Sequence, residues 1–186
     1  MKIILASKSP RRKELLSDLF SNFEIITADV DESLDDGMSL EEGVRELAVK
    51  KGAPVAENAS SDSLVISADT LVALDGEALG KPKDEKDACR MLRSLSGREH
   101  FVLTGIAVHY KGRLASGVAK SAVRFKELSD KEISDYVSSG EPLDKAGAYG
   151  IQGLGGKFVL GYEGDFDTVV GLSRNLTKKL VEEVTG

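Results

Sequence analysis

The run Leu64-Val65-Ile66-Ser67-Ala68-Asp69-Thr70-Leu71-Val72-Ala73-Leu74 constrains the fold more than any other stretch of the chain. It is apolar on both sides of one acid, and near-continuous apolar character describes a central strand covered on both faces. Such a strand needs helices packed against it, which puts the chain in the α/β class. Asp69 is the anomaly. A carboxylate within a buried strand costs several kcal/mol unless it is paired, hydrogen-bonded or bound to a metal. The structural alternative is an aspartate that caps a neighbouring loop or pairs with a lysine.

A second anomaly lies near the start. Ile3-Ile4-Leu5 reads as a buried strand and Ser9 as a helix N-cap, with Pro10 in the first helical position and Leu15, Leu16 and Leu19 as the apolar stripe. Lys8, Arg11, Arg12 and Lys13 therefore crowd the positive end of a helix dipole, where cations are unfavourable unless an anion joins them. A phosphate is the natural occupant, since free N–H groups and forked guanidinium donors both favour it. The alternative is a solvated basic turn.

Between these features, residues 23–28 alternate as a strand and lead into an acidic loop containing Glu32. Ser39 and Glu42 form a capping box that opens a helix with Leu40, Val44, Leu47 and Ala48 on its apolar face. Lys51 follows on that face and must either snorkel to water or meet an anion. After the central strand, Asp75-Gly76 signals a type I′ hairpin. It returns the chain towards Gly80-Lys81-Pro82, so Lys81 can come back beside Asp69. A helix is expected over residues 84–95, two strands over 100–110 and 113–125, and a helix from a second capping box at Ser129 and Glu132. Residues 147–156 hold five glycines with polar Gln152 among them, a loop where backbone approaches something closely. Strands are expected at 157–162 and 166–172, and a closing amphipathic helix at 173–184.

Composition narrows the chemistry. Lys plus Arg total 25 against 31 Asp plus Glu, and the net charge of -6 argues against a non-specific nucleic-acid binder. A local basic cluster in an acidic chain points instead to a small anionic ligand. The single cysteine, Cys89, leaves no disulfide framework and no cysteine-rich zinc site. His100 and His109 are the only histidines, and neither has metal-ligand spacing, which sets aside a Ser-His-Asp triad. Residues 3–6 are too short for a signal peptide or membrane span, with Arg11 close behind, so a cytoplasmic location with no membrane partner is expected.

Together these pieces describe one α/β domain over residues 1–186 with a mixed sheet. Lysines and arginines would hold a triphosphate, while Asp69, with Glu32, would hold a divalent cation through oxygen ligands. There is no P-loop GxxxxGK[ST], so metal-assisted hydrolysis fits better than kinase-type phosphoryl transfer.

Four motifs in order carry a resemblance: Leu5-Ala6-Ser7-Lys8-Ser9-Pro10-Arg11-Arg12, Ser67-Ala68-Asp69-Thr70, Gly80-Lys81-Pro82, and residues 140–153 from Gly140-Glu141-Pro142 to Gly150-Ile151-Gln152-Gly153. Over the whole chain the sequence resembles the Maf (septum formation inhibitor-like) nucleotide pyrophosphatases. That resemblance implies a fold like the inosine triphosphate pyrophosphatases, an elongated mixed sheet flanked by helices in two lobes with a central cleft, and commonly a homodimer. It implies hydrolysis of a nucleoside triphosphate to the monophosphate and pyrophosphate, with Mg2+ or Mn2+. Arg11, Thr70 and Gln152 resemble the branch that acts on dTTP, UTP and modified pyrimidine triphosphates; a sister branch preferring 7-methyl-GTP carries Trp and Glu at the positions of Arg11 and Gln152. By matching positions, Asp69 resembles the proton acceptor or a metal ligand. Ser7, Arg12, Lys51 and Lys81 resemble phosphate-binding and charge-stabilising groups, and Glu32 an acidic group near the metal, with Lys145 a weaker candidate. Ser173 stands where relatives often carry Pro, and a serine caps the last helix equally well. The implied cellular roles are nucleotide-pool cleaning and cell-division arrest. The rival readings are a nucleotide-sensing regulator of septum formation without turnover, and a glycoside hydrolase, disfavoured because the chain has no Trp to stack on a sugar.

Overall fold

The computed structural model describes residues 1–186. In chain order the elements are β1 (Lys2–Leu5), α1 (Pro10–Ser17), β2 (Glu24–Ile25), α2 (Leu40–Asn58), β3 (Ser63–Leu74), β4 (Glu77–Leu79), α3 (Glu85–Leu95), β5 (Glu99–Tyr110), β6 (Arg113–Phe125), α4 (Asp130–Ser138), β7 (Val159–Glu163), α5 (Phe166–Val170) and α6 (Arg174–Thr185). The strands pair in the order β2-β1-β3-β5-β6-β7, with β4 added to β3. β2 and β3 run parallel to β1, whereas β4 is antiparallel to β3 and β7 to β6, so the sheet is mixed as expected. Every residue of β3 except Thr70 is buried, the central strand that its composition requires.

The chain forms two compact units, and β3, β5 and β6 contribute residues to both. The first comprises Met1–Thr70, Thr104–Ala119 and Gly171–Gly186. Here Ile4 and Ala6 pack with Val65 and with Val55 of α2. The α2 capping box is formed: Ser39 Oγ accepts from Glu42 N at 3.2 Å, and the Glu42 carboxylate accepts from Ser39 N at 3.0 Å. Burial of Val44 and Leu47 then fixes the helix by about 1.5–3 kcal/mol per side chain. Its approach to the strands is close: Ser67 Oγ donates to Ala48 O at 2.6 Å, and a Cβ at Gly105 would overlap the Val44 carbonyl. Ser173 caps α6 by accepting from Leu176 N at 3.3 Å, the role assigned to it from sequence.

The second unit comprises Leu71–Leu103 and Lys120–Val170. Its core joins Val72, Leu92, Leu95, Phe125, Tyr136 and Phe158. Phe125 lies 4.7 Å from Tyr149 and 5.0 Å from His100, ring centre to ring centre, in edge-on geometry. His100 is structural, its Nε2 2.7 Å from the Tyr149 hydroxyl. Asp75 and Gly76 both take positive φ, 53° and 80°, as a type I′ turn demands.

Three boundaries differ from expectation. Residues 166–170 form α5 rather than a strand: the β-branched Thr168-Val169-Val170 suggested extended structure, but the Asp165 side chain accepts from Asp167 N at 3.1 Å and starts a helical turn instead. The strand expected at 23–28 is reduced to Glu24–Ile25 at an exposed edge. The strand expected at 157–162 begins at Val159, because residues 154–158 wind into a 3₁₀ turn permitted by Gly155 and Gly156.

Candidate active site

β1 leaves the sheet at Ser7, just after Ala6 N donates to Ile66 O at 2.8 Å. Ser9 then caps α1, its Oγ accepting from Arg12 N at 3.4 Å, with Pro10 at the first helical position. The cap sets where the Arg12 side chain begins. Its guanidinium is held at three points: Nε donates to Gly171 O at 2.9 Å, Nη1 to Ser7 Oγ at 3.2 Å and Nη2 to Thr70 Oγ1 at 3.0 Å. Thr70 Oγ1 is in turn 2.9 Å from Thr104 Oγ1. All three acceptors are neutral, so the fork is oriented while its charge stays uncompensated by hydrogen-bonded carboxylate. Burial pulls the Arg12 guanidinium below its ordinary value; the Asp69 carboxylate pulls it back up, Arg11 lowers it further and Glu32 raises it. Arg12 and Asp69 thus already share one electrostatic environment.

Along β3, side chains alternate between faces. Ser67 and Asp69 meet α2, while Thr70 meets Arg12. Lys51 of α2 brings its ammonium 2.5 Å from Asp69 Oδ1 and 3.2 Å from Glu32 Oε2. Lys51 therefore meets anions rather than snorkelling away. The Asp69 and Lys51 side chains are only 11% and 16% exposed, against 58% for Glu32, so the inner pair is desolvated and the outer partner is open.

The first unit accordingly assembles Ser7, Arg12, Glu32, Lys51, Asp69 and Thr70, with half-buried Arg11 next to Arg12. Lys81 and Gln152 belong to the second unit, and both are exposed. There Gly147 N donates to Gly80 O at 3.1 Å, tying the segment that carries Lys81 to the glycine-rich segment. Lys145 is engaged within this unit, donating to Glu141 O at 2.9 Å and to Asp144 Oδ1 at 2.8 Å.

Asp69 and Glu32 are hard oxygen donors gathered around one cation, Lys51, and no group of three or more His, Cys, Asp or Glu residues converges to cage a metal. That donor set suits Mg2+ or Mn2+, which bind through one or two carboxylates and complete their shell with water and substrate phosphate oxygens. Two supports escaped sequence reasoning, Thr104 and the Gly171 carbonyl. Thr104 gives no signal inside an ordinary strand. Gly171 has φ of 133°, a conformation that favours glycine, so its glycine identity was the available clue.

A family model described as Maf-like protein matches residues 2–184. A Clostridium perfringens protein named dTTP/UTP pyrophosphatase is 46% identical over 185 residues, covering 98% of this chain and 96% of its own. A Geobacillus protein of the same name is 46% identical over 182 residues, covering 98% and 97%. Among solved structures, the Staphylococcus aureus Ham1 protein aligns over 99% of this chain and 96% of its own, with a TM-score of 0.48 and 18% identity. With the family model matching from β1 to α6, and near-half identity to relatives over their full length, the chain belongs to the Maf-like proteins.

Proposed function

We propose that this protein is a pyrophosphatase that hydrolyses dTTP, UTP and modified pyrimidine triphosphates to the monophosphate and pyrophosphate. The observation that carries the reading is a buried carboxylate, Asp69, placed against Lys51 and within the field of an uncompensated Arg12. The names of the relatives support the substrates.

In this reading Arg12 keeps two of its five N–H groups for the triphosphate, the other three being used to orient it. Ser7, Arg11 and Thr70 line the approach of the phosphates, and Lys81 adds positive charge. Asp69 takes the proton of the attacking water; the water oxygen bonds to the α-phosphorus, the bond from that phosphorus to the bridging oxygen breaks, and pyrophosphate leaves. A divalent cation held by Asp69 and Glu32 would neutralise charge on the phosphate oxygens. Lys51 stabilises the charge that develops during transfer. The Gln152 amide, both donor and acceptor, suits a uracil-type edge. Homodimeric assembly and residence in the cytoplasm complete the proposal.

The test is pyrophosphate release with Mg2+ or Mn2+ across dTTP, UTP, CTP, GTP and 7-methyl-GTP. Turnover of dTTP and UTP is expected. A preference for 7-methyl-GTP overturns the roles given to Arg11 and Gln152, and nucleotide binding without turnover overturns the enzyme.

A further inference from the structure

Gln152 is the single polar side chain in residues 150–156, a segment in which Ile151 packs against the core while Leu154 is 58% exposed. The backbone that follows Gln152 is held by Glu141. Both oxygens of its carboxylate accept from loop backbone, Oε1 from Leu154 N at 3.0 Å and Oε2 from Gly155 N at 3.1 Å. The Tyr136 hydroxyl donates to the same carboxylate and accepts from Gly150 N at 3.1 Å. Tyr136 is itself packed into the core, 1% exposed and edge-on to Phe158 at 5.1 Å. Gly153 N closes the turn on Gly150 O at 3.2 Å. Gln152 is therefore flanked on both sides by pinned backbone.

The brace is tightly fitted. A Cβ at Gly153 would overlap Glu141 Oε1, and one at Gly155 would come within 2.6 Å of the Tyr136 hydroxyl. Burial pushes the Glu141 carboxyl up, but the Tyr136 hydroxyl, the two backbone donors and Lys145 outweigh it and hold it below its ordinary value. The charged form of Glu141 suits the loop, since a carboxylate accepts from all three donors, Leu154 N, Gly155 N and the Tyr136 hydroxyl, with no O–H of its own to place.

We propose that Glu141 is a positioning residue for nucleobase recognition: braced by Tyr136, it fixes the loop so that the Gln152 amide meets the base edge already oriented. The inference rests on Gln152 as the base-reading group. Ordering before binding raises affinity for the matching base by removing the cost of ordering during binding. Glu141→Gln retains one acceptor and turns an NH2 towards a backbone donor, so it frees the loop while changing no group assigned to the chemistry.

The experiment measures amide exchange by NMR, and kcat and KM for dTTP and CTP, in the wild type, Glu141→Gln, Tyr136→Phe, Gln152→Ala and the double variant at 141 and 152. In Glu141→Gln, exchange at Leu154 and Gly155 is expected to quicken about tenfold. KM for dTTP is expected to rise about tenfold with kcat held within about twofold, and KM for CTP to rise less. Adding Glu141→Gln to Gln152→Ala should change nothing further. Unchanged exchange, an equal loss for both nucleotides, or full additivity in the double variant overturns the proposal. Should Glu141→Gln fail to fold, Tyr136→Phe removes one O–H from the brace and answers the same question. An unchanged dTTP-to-CTP ratio in Gln152→Ala refutes the base reading itself; a changed ratio there with none in Glu141→Gln refutes only the positioning role.

Discussion

The charged cluster of the first unit and the glycine-rich loop of the second are ordered by opposite means. Arg12, Lys51 and Asp69 project from α1, α2 and β3, so regular elements place them and side chains join one to another. Residues 150–156 are turns and the start of a 3₁₀ segment, and buried Tyr136 and half-buried Glu141 reach in to hold their backbone. A site made of charge tolerates little movement because each desolvated ion depends on its partner. A site made of backbone depends on distant braces that never meet a ligand. This contrast predicts where substitutions hurt chemistry and where they hurt selectivity.

The hardest break on the charged side is Asp69→Asn. It removes the proposed proton acceptor and leaves Lys51 desolvated beside an amide, so pyrophosphate release should fall by about 10²–10⁴-fold, and a thermal melt should show lost stability as well.

On the other side, acid should loosen the core beneath the loop. Burial keeps His100 neutral, lowering its pKa from 6.5 to about 4. The unfolded chain takes up its proton near 6.5, so the stabilisation is complete above that pH and is lost as pH falls from 6.5 towards 4, by about 3 kcal/mol in all. Urea denaturation at pH 7 and pH 4.5 should show this slope, shallower in His100→Gln.

Arg12→Lys sharpens the comparison. It retains charge but lets one ammonium replace a fork fixed on Gly171, Ser7 and Thr70, and KM for the triphosphate should rise by about tenfold or more while selectivity between bases is unchanged. The smallest effect is expected at Lys131, whose ion pair with Asp135 lies on open surface; Lys131→Ala should leave the midpoint of the same urea assay unchanged.

Much of the first unit was legible because its signals are local rule-breaks. An acid within an apolar strand, a lysine on an apolar helix face and arginines at a helix start each conflict with their surroundings, and together they form the observed cluster. The capping boxes and the Asp75-Gly76 turn were legible for the converse reason, obeying short-range rules exactly where elements begin or reverse. Residues 166–170 misled because β-branched propensity was overruled by one side-chain cap at Asp165. Glu141 was hidden because its partners lie 13 and 14 residues away and are backbone N–H groups, which every residue supplies and none advertises.

The nearness of α2 to its strands has a consequence for how this chain accepts mutation. A Cβ at Gly52 would sit 2.9 Å from His109 Nε2, and Gly105 abuts the Val44 carbonyl. Lys51 is the residue just before Gly52, so a helix raised by bulk at Gly52 should carry the Lys51 ammonium away from Asp69. A saturation scan should therefore reveal a band of intolerant small residues at 52 and 105, neither of them among the residues proposed to bind substrate, their added bulk costing activity simply by lifting a lysine out of reach.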